Sequence, residues 1–183
     1  PAATLSFDVV GLALEPVEER PASRALSDAI WNSLEVDRLD LDRLDVAVMK
    51  SAYWPDAIDE HGRYNGNAWD FCDYCVGSHD KWTWTMHSIY NHRVEIDPDG
   101  VHGRGEAYCI THLFDEDARR MSTWYGRYQD AYECRDGEWR IVHRVCVHHG
   151  NTLQDVPDTM GIDASLFRQA DFDRPAAGRR MGP

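Results

Sequence analysis

The sequence predicts an α+β fold, in which helices gather on one face of a curved antiparallel sheet. Apolar residues recur at helical spacing in the first 80 residues. Four long β-rich segments follow, at 82–96, 101–114, 121–134 and 138–149. Helical segments followed by a run of adjacent strands are typical of this class.

Two helices are predicted before residue 54. The segment 22–35 and the segment 41–53 each carry apolar residues about one helical turn apart, and Asp40 could cap the second helix. The residues predicted to face inward are Leu26, Ile30, Trp31, Leu34, Leu41, Leu44, Val48 and Met49.

A short strand or loop and a third helix are predicted next. Pro55, Gly62 and Gly66 interrupt the stretch WPDAIDEHGRYNGN, and residues 67–79 then favour a helix. Farther along, Asp136-Gly137 is a turn pair whose positive φ angles suit a tight hairpin between the last two strands.

The chain divides into three parts by composition. Residues 1–20 contain two prolines and no clean period, which predicts an arm with at most one short strand. Residues 21–150 form the predicted α+β domain, and residues 151–183 are a proline-containing polar extension.

Charge and composition exclude several functional classes. With 43% hydrophobic residues the chain is globular, and a formal charge of -13 repels phosphate backbones, so nucleic acid is not an expected partner. The sequence contains no apolar run of the ~20 residues that span a bilayer. The opening residues lack the basic and apolar regions of a secretory signal, so we expect a cytoplasmic protein.

The five cysteines predict packing residues rather than a disulfide framework. Their number is odd and their spacing irregular, which fits a reducing compartment. Cys72 and Cys75 form a C-x-x-C, for which packing on one helix face is the simplest interpretation. A redox or zinc role is the alternative, although no second pair follows at zinc-ribbon spacing.

Alternation along the strands separates the residues that could do chemistry. In an unbroken strand His87 and Asn91 share one face and His92 lies on the other, so the two histidines would not share a metal. In the last strand, Arg144 and His148 fall on the face opposite Ile141. The mixed faces could line a pocket while the apolar faces meet a partner subunit; half-solvated mixed faces are the alternative.

Several motifs in order resemble the SnoaL-like family. They are VDRLDLDRL after the first helix, YWPDAIDEHG after the second, MHSIYNH opening the sheet and YGRYQDAYECRDGEWRIVHRV closing it, within residues 22–150. The resemblance implies the nuclear transport factor 2-like fold, a cone in which a bent sheet wraps around about three helices. Many functions share this fold, so function has to come from the site.

The resemblance also implies an active site. Similar enzymes, among them dehydratases, a dehydrochlorinase and lyases of lignin-derived diarylpropanes, use an aspartate–histidine pair that matches Asp37 and His87. The histidine would act as a general base, oriented by the carboxylate, with no metal or other cofactor. The implied pocket positions are Asn32, where relatives tend to carry lysine or tyrosine, and Asp59, Trp124, Tyr128 and Arg144.

These residues predict a cofactor-free lyase. Arg144, Asn91 or Tyr128 could stabilise negative charge on the substrate or the leaving group, and Tyr53 adds to an aromatic pocket suited to a small hydrophobic substrate. The leaving group could be water, halide or formaldehyde, and isomerase or cyclase activity is also open. A non-catalytic binding or assembly module, such as a ring-hydroxylating dioxygenase small subunit, is the alternative. We expect a homotrimer or homodimer.

Overall fold

The computed structural model describes residues 4–6, 42–79, 81–115 and 117–157. These ranges form one seven-stranded sheet and two helices. In chain order the elements are β1 (Thr4–Ser6), α1 (Val46–Ser51), β2 (Tyr53–His61), β3 (Tyr64–Asn67), α2 (Ala68–His79), β4 (Trp84–Ile96), β5 (His102–Asp115), β6 (Arg120–Arg135) and β7 (Glu138–Asp155).

The sheet is mixed, whereas the sequence predicted an antiparallel one. Its strand order is β1-β4-β5-β6-β7-β2-β3, and β4 to β7 form the predicted antiparallel run. The segment predicted as a short strand or loop forms the hairpin β2–β3, and β2 pairs with β7 in parallel. Parallel pairing is possible because the chain from β2 to β7 is long enough to return to the same end of the sheet.

The second helix is shorter than predicted and is capped five residues later. The carboxylate of Asp45, not Asp40, accepts a hydrogen bond from the backbone N–H of Val48, and α1 begins at Val46. The helix predicted over 22–35 lies outside the described residues. The third helix is confirmed as α2, where the Asn67 side chain accepts hydrogen bonds from the first-turn N–H groups.

Both helices pack on the same region of the sheet. The core joins α1, α2 and β2 to the C-terminal end of β6 and the N-terminal end of β7. Its buried residues include Met49, Tyr53, Phe71, Tyr132 and Ile141. Cys72 and Cys75 are buried in this core too, in the packing position predicted for them. The described residues contain no group of three or more His, Cys, Asp or Glu side chains that could hold a metal ion.

Two bulges correct the predicted strand faces. The β4–β5 register shifts between Tyr90 and Arg93, and Asn91 has a φ of 42°. The extra residue reverses the alternation, so that His87 and His92 lie on the same inner face. A second register shift lies between β6 and β7, where Ala131 pairs with His143 and Tyr132 pairs with Ile141. This shift places both Ile141 and Arg144 on the inner face.

Small side chains in β5 leave room above this strand for long side chains from its neighbours. The inward-facing residues of this central strand are, in order, Gly103, Gly105, Ala107, Cys109 and Thr111. A Cβ atom at Gly105 would lie 2.9 Å from the Tyr132 ring, so the glycine is needed for that ring to cross the strand. Longer side chains from β4, β6 and β7 therefore project into the space above β5.

Smaller features complete the comparison with the sequence. Asp136 and Gly137 have φ angles of 53° and 83°, which confirms the predicted hairpin turn. β1 pairs with β4 as a short strand in the N-terminal arm. β7 continues to Asp155, so the sheet extends past the predicted boundary at residue 150. No helix within the described ranges is long and apolar enough to cross a membrane.

Candidate active site

His87 and Asp42 form a closely bonded pair on the inner face of β4. The Nδ1 atom of His87 lies 2.7 Å from Oδ1 of Asp42, and the backbone N–H of His87 donates to Oδ2 at 2.9 Å. The Thr85 hydroxyl donates to Oδ1 at 2.7 Å. The His87 side chain is 8% exposed, so both its position and its orientation are fixed by these contacts.

The contacts of Asp42 favour its ionised form. Burial raises the pKa of this carboxyl, but the hydrogen bonds and charge of His87, with the Thr85 hydrogen bond, outweigh burial and hold the pKa below 3.8. A carboxylate can only accept hydrogen bonds, so the proton of a neutral His87 ring belongs on Nδ1. The Nε2 atom then carries the lone pair that a general base requires.

A five-residue repeat in the sequence explains why Asp42 was missed. The stretch VDRLDLDRLD contains D-R-L-D twice, starting at Asp37 and at Asp42. The same shift of five separates the predicted helix cap, Asp40, from the observed one, Asp45. The position predicted for Asp37 beside His87 is thus taken by Asp42, while Asp37 itself and Asn32 lie outside the described residues.

An aromatic wall continues from the pair across the sheet. His87, Thr111 and Trp124 are direct neighbours on three adjacent strands. The Trp124 ring lies 6.3 Å from that of Tyr128 and 6.2 Å from that of His148, measured between centroids. This wall contains the predicted residues Trp124 and Tyr128, and it joins them to His87 through Thr111.

A buried ionic cluster forms the other end of the inner face. Arg144 donates from Nε and Nη2 to the two carboxylate oxygens of Asp130 at 2.7 and 2.9 Å, and its Nη1 donates to the Tyr53 hydroxyl at 3.1 Å. The guanidinium also lies 4.4 Å from the centre of the Tyr128 ring. Tyr53 in turn donates to Oδ2 of Asp59, which has no exposed surface.

The Asp42–His87 pair and the ionic cluster lie on the same inner face of the sheet, but in different rows of residues paired across the strands. Asp59, Arg144, Asp130 and Gly105 are paired in one row across the sheet, whereas His87 shares a row with Thr111. Gly105 and Thr111 are about 20 Å apart along a fully extended β5. The inner face therefore carries an acid–base pair at one end and an ionic cluster at the other.

The comparisons with known proteins agree with this architecture. The SnoaL-like domain matches residues 39–145, more than half of the chain. The chain belongs to this family. No curated protein matches the chain.

Solved SnoaL-like and related structures share the fold at low sequence identity. A candidate scytalone dehydratase from Novosphingobium aromaticivorans superposes with a TM-score of 0.64 at 15% identity, covering 77% of this chain and 98% of that one. Hexachlorocyclohexane dehydrochlorinase type 3 from Novosphingobium barchaimii gives 0.62 at 20% identity, with coverages of 73% and 92%. A candidate aromatic ring hydroxylase from Novosphingobium aromaticivorans gives 0.62 at 16%, with coverages of 74% and 96%. These likenesses establish the fold and leave the reaction to the site.

The remaining predicted residues divide between the inner face of the sheet and the surface. Tyr53, Asp59 and Arg144 come together as predicted, but as members of the buried cluster, where Arg144 is only 1% exposed. Asn91 is exposed on the β4 bulge and is not on the inner face with His87. The expectation for Asn91 was wrong because it assumed unbroken alternation.

Two inner-face residues were missed by sequence reasoning. Asp130 is the ion-pair partner of Arg144, and alternation places it with Tyr128 and Tyr132 on the inner face of β6. His92 reaches the inner face only through the bulge. Burial lowers the pKa of His92 most strongly, while Asp130 acts to raise it and Arg144 to lower it. No feature of the sequence located the bulge.

Proposed function

We propose that the protein is a cofactor-independent lyase in which His87 abstracts a proton from a carbon or a hydroxyl group of the substrate. In the proposed step, Nε2 of His87 takes the proton and the electrons of the C–H bond form a new double bond. Hydroxide or halide on the neighbouring carbon leaves with its bonding electrons. For loss of formaldehyde, Nε2 instead takes the O–H proton of a hydroxymethyl group, and the electrons of that O–H bond form the C=O bond of formaldehyde. The electrons of the broken C–C bond then form the new double bond as hydroxide leaves the next carbon. Asp42 stabilises the imidazolium that forms and holds the ring in the reactive tautomer.

The bonding of His87 to Asp42 is the observation that carries this proposal. Three hydrogen bonds fix the carboxylate against the buried ring, at 2.7, 2.7 and 2.9 Å. The exposed His102 is held by Asp99 in a similar way, but His87 differs in being buried. A general base gains from such support because a wrong tautomer has no lone pair to offer. The names of a candidate dehydratase and a dehydrochlorinase of this fold, both elimination enzymes, support the same class.

The inner face favours a small hydrophobic, aromatic substrate. Trp124 and His148 offer ring surfaces for stacking on the inner face, two and three strands from His87, and the buried Tyr128 ring packs against Trp124. The leaving group remains open among water, halide and formaldehyde, and each gives a different product to measure.

Proton abstraction can be tested without knowing the leaving group. The protein is incubated in D₂O with hexachlorocyclohexane, scytalone and a hydroxylated diarylpropane, and deuterium uptake, chloride and formaldehyde are measured. We expect one class to react, and His87→Gln to lower its rate about 10²–10⁴-fold. His143→Gln is the matched control, because His143 pairs with Glu60 at 2.8 Å on the outer face and should keep wild-type rates. Equal rates in wild type and His87→Gln would refute the proposal.

A second candidate is a non-catalytic subunit of a larger oxygenase. It is favoured by the fold shared with a candidate aromatic ring hydroxylase. Under this alternative the purified chain has no activity on any of the three classes, and it co-purifies with an iron–sulfur subunit when both are expressed together.

We also propose that the chain forms a homotrimer or homodimer through the outer face of the sheet. Met86, Tyr90, Tyr108 and Tyr125 are exposed there, between 37% and 48% each. Three of them, Tyr90, Tyr108 and Tyr125, line a depression of about 330 Å³. Apolar side chains grouped on one sheet face are typical of subunit interfaces.

A further inference from the structure

Three buried polar atoms near the ionic cluster have no hydrogen-bond partner: Nε2 of His92, Oδ1 of Asp59 and Nδ1 of His61. The last two lie 3.3 Å apart without the alignment of a hydrogen bond. Asp59 has no exposed surface at all. Leaving a buried carboxylate oxygen unbonded costs free energy, so such an atom requires a functional explanation.

The neighbouring cation does not supply the missing bond to Asp59. Arg144 is held by both oxygens of Asp130, and its contact toward Asp59 passes through the Tyr53 hydroxyl. The group that faces Oδ1 of Asp59 is therefore the His61 ring. Long, poorly aligned contacts of this kind are common in unliganded sites and tighten when a ligand binds.

The rest of the His61 ring faces the aromatic wall. The ring stacks on Phe71 with centroids 4.6 Å apart and lies 6.0 Å from Tyr128. Tyr128 in turn contacts Trp124 in the wall that begins beside His87. The His61 side chain is 31% exposed although its Nδ1 is buried, so the exposed edge includes the opposite side of the ring.

Helix α2 sets the distance between His61 and His87. Its residue Phe71 contacts His61, and its residue His79 lies 6.2 Å from His87. Phe71 and His79 are separated by about 12 Å along the helix axis. His61 and His87 therefore lie against the same helix, at points about 12 Å apart along its axis.

We infer that Asp59 and His61 form a second recognition site, which binds the hydroxyl group of an aromatic substrate whose reacting carbon lies at His87. His61 would touch the hydroxyl through Nε2, and Asp59 would act as a positioning residue through Nδ1. Neutral His61 presents an acceptor at Nε2 and protonated His61 a donor, and a phenolic hydroxyl can bond to either because it both donates and accepts. This inference rests on the proposed function, since it assigns the far end of the same substrate.

The test compares two probes of nearly equal size, 4-ethylphenol and 4-ethyltoluene, by isothermal titration calorimetry. We expect wild-type protein to bind the phenol about tenfold or more tightly than the toluene. His61→Phe keeps the stacking on Phe71 but should bind both probes equally. His143→Phe, which changes a histidine paired with Glu60 on the outer face, should keep the wild-type ratio.

The outcomes separate this inference from the proposed reaction. His87→Gln should lose turnover and keep the preference for the phenol. If the wild-type protein catalyses no reaction but still binds the phenol more tightly than the toluene, only the lyase proposal is refuted. Equal affinity of the two probes in wild type, or an unchanged preference in His61→Phe, overturns the inference. If His61→Phe does not fold, Asp59→Asn gives the second measurement, and a preference unchanged there overturns the role of Asp59.

Discussion

Replacing Asp42 with asparagine tests both halves of the proposed acid–base pair. The carboxylate accepts hydrogen bonds from Thr85, from the backbone of His87 and from the His87 ring. An asparagine of the same shape has one oxygen and one NH₂ group. A backbone N–H can only donate, so the asparagine oxygen should take the place of Oδ2, which faces the backbone of His87. The NH₂ group then faces the Thr85 hydroxyl and Nδ1 of His87, both of which can accept, and it favours the tautomer with its proton on Nε2. That tautomer has no lone pair directed at the substrate.

The expected losses follow from these contacts. Hydrogen bonds to a charged group contribute about 1.5–3 kcal/mol and neutral ones about 0.5–1.5, so weakening three of them should lower the free energy of unfolding by about 2–4 kcal/mol. In a chain of this length that loss lowers Tm by roughly 4–16 °C. Turnover should fall about 10²–10⁴-fold, because general base catalysis is removed.

The stability difference should also depend on pH. The pKa of Asp42 is lower in the folded protein than its ordinary value of 3.8. The stability that the carboxylate contributes is therefore complete above the pKa of the unfolded chain, and it is lost as the pH falls through the lower pKa of the folded protein. Thermal melts of wild type and Asp42→Asn should therefore differ fully at pH 6 and converge below pH 3.8. Wild-type turnover in Asp42→Asn, or an equal difference at all pH values, would refute the reasoning.

Three further predictions concern the wall, the cluster and the outer face. In Gly126→Ala, the new methyl group would collide with the Trp124 indole and with the neighbouring backbone. We expect the free energy of unfolding measured in urea to fall by about 1–3 kcal/mol and the tryptophan fluorescence to change. An unchanged fluorescence spectrum would contradict this packing of Trp124. Arg144→Leu leaves Asp130 buried without its cation and should cost about 3–5 kcal/mol, which Asp130→Asn in the same chain should partly restore; a stable single variant would argue against the ion pair. Tyr125→Asp places a charge on the proposed interface and should lower the mass measured by light scattering, whereas a wild-type protein that is already monomeric would rule out the interface.

Local patterns were sufficient to predict most of the elements. Helix α2 and strands β4 to β7 appear close to their predicted positions because their periodicity and the Asp136-Gly137 turn are local signals. The parallel pairing of β2 with β7 was not predictable in the same way. It depends on contacts between residues about 85 positions apart, which alternation within one strand does not encode.

The candidate site was predictable only in part, for two physical reasons. Alternation assumes that each residue of a strand pairs with one residue of its neighbour. The β4 bulge adds an unpaired residue, so His92 lies on the inner face where Asn91 was expected. The repeated D-R-L-D offered two equivalent carboxylates, and only the packing of Asp42 against Thr85 and His87 distinguishes it. One signal was present in the sequence and carried no prediction: the alternating small residues of β5, which leave room for the Tyr132 ring and other long side chains.

The tautomer of His87 is the most direct test of the central claim that Asp42 prepares this ring as a base. Two-bond ¹H–¹⁵N correlation spectra of histidine-labelled protein distinguish the two ring nitrogens, and His87→Gln assigns the signals by their loss. For the neutral His87 ring we predict a single tautomer with its proton on Nδ1, which changes to the Nε2–H form in Asp42→Asn. A wild-type ring that carries its proton on Nε2, or that exchanges freely between both forms, would contradict the claim.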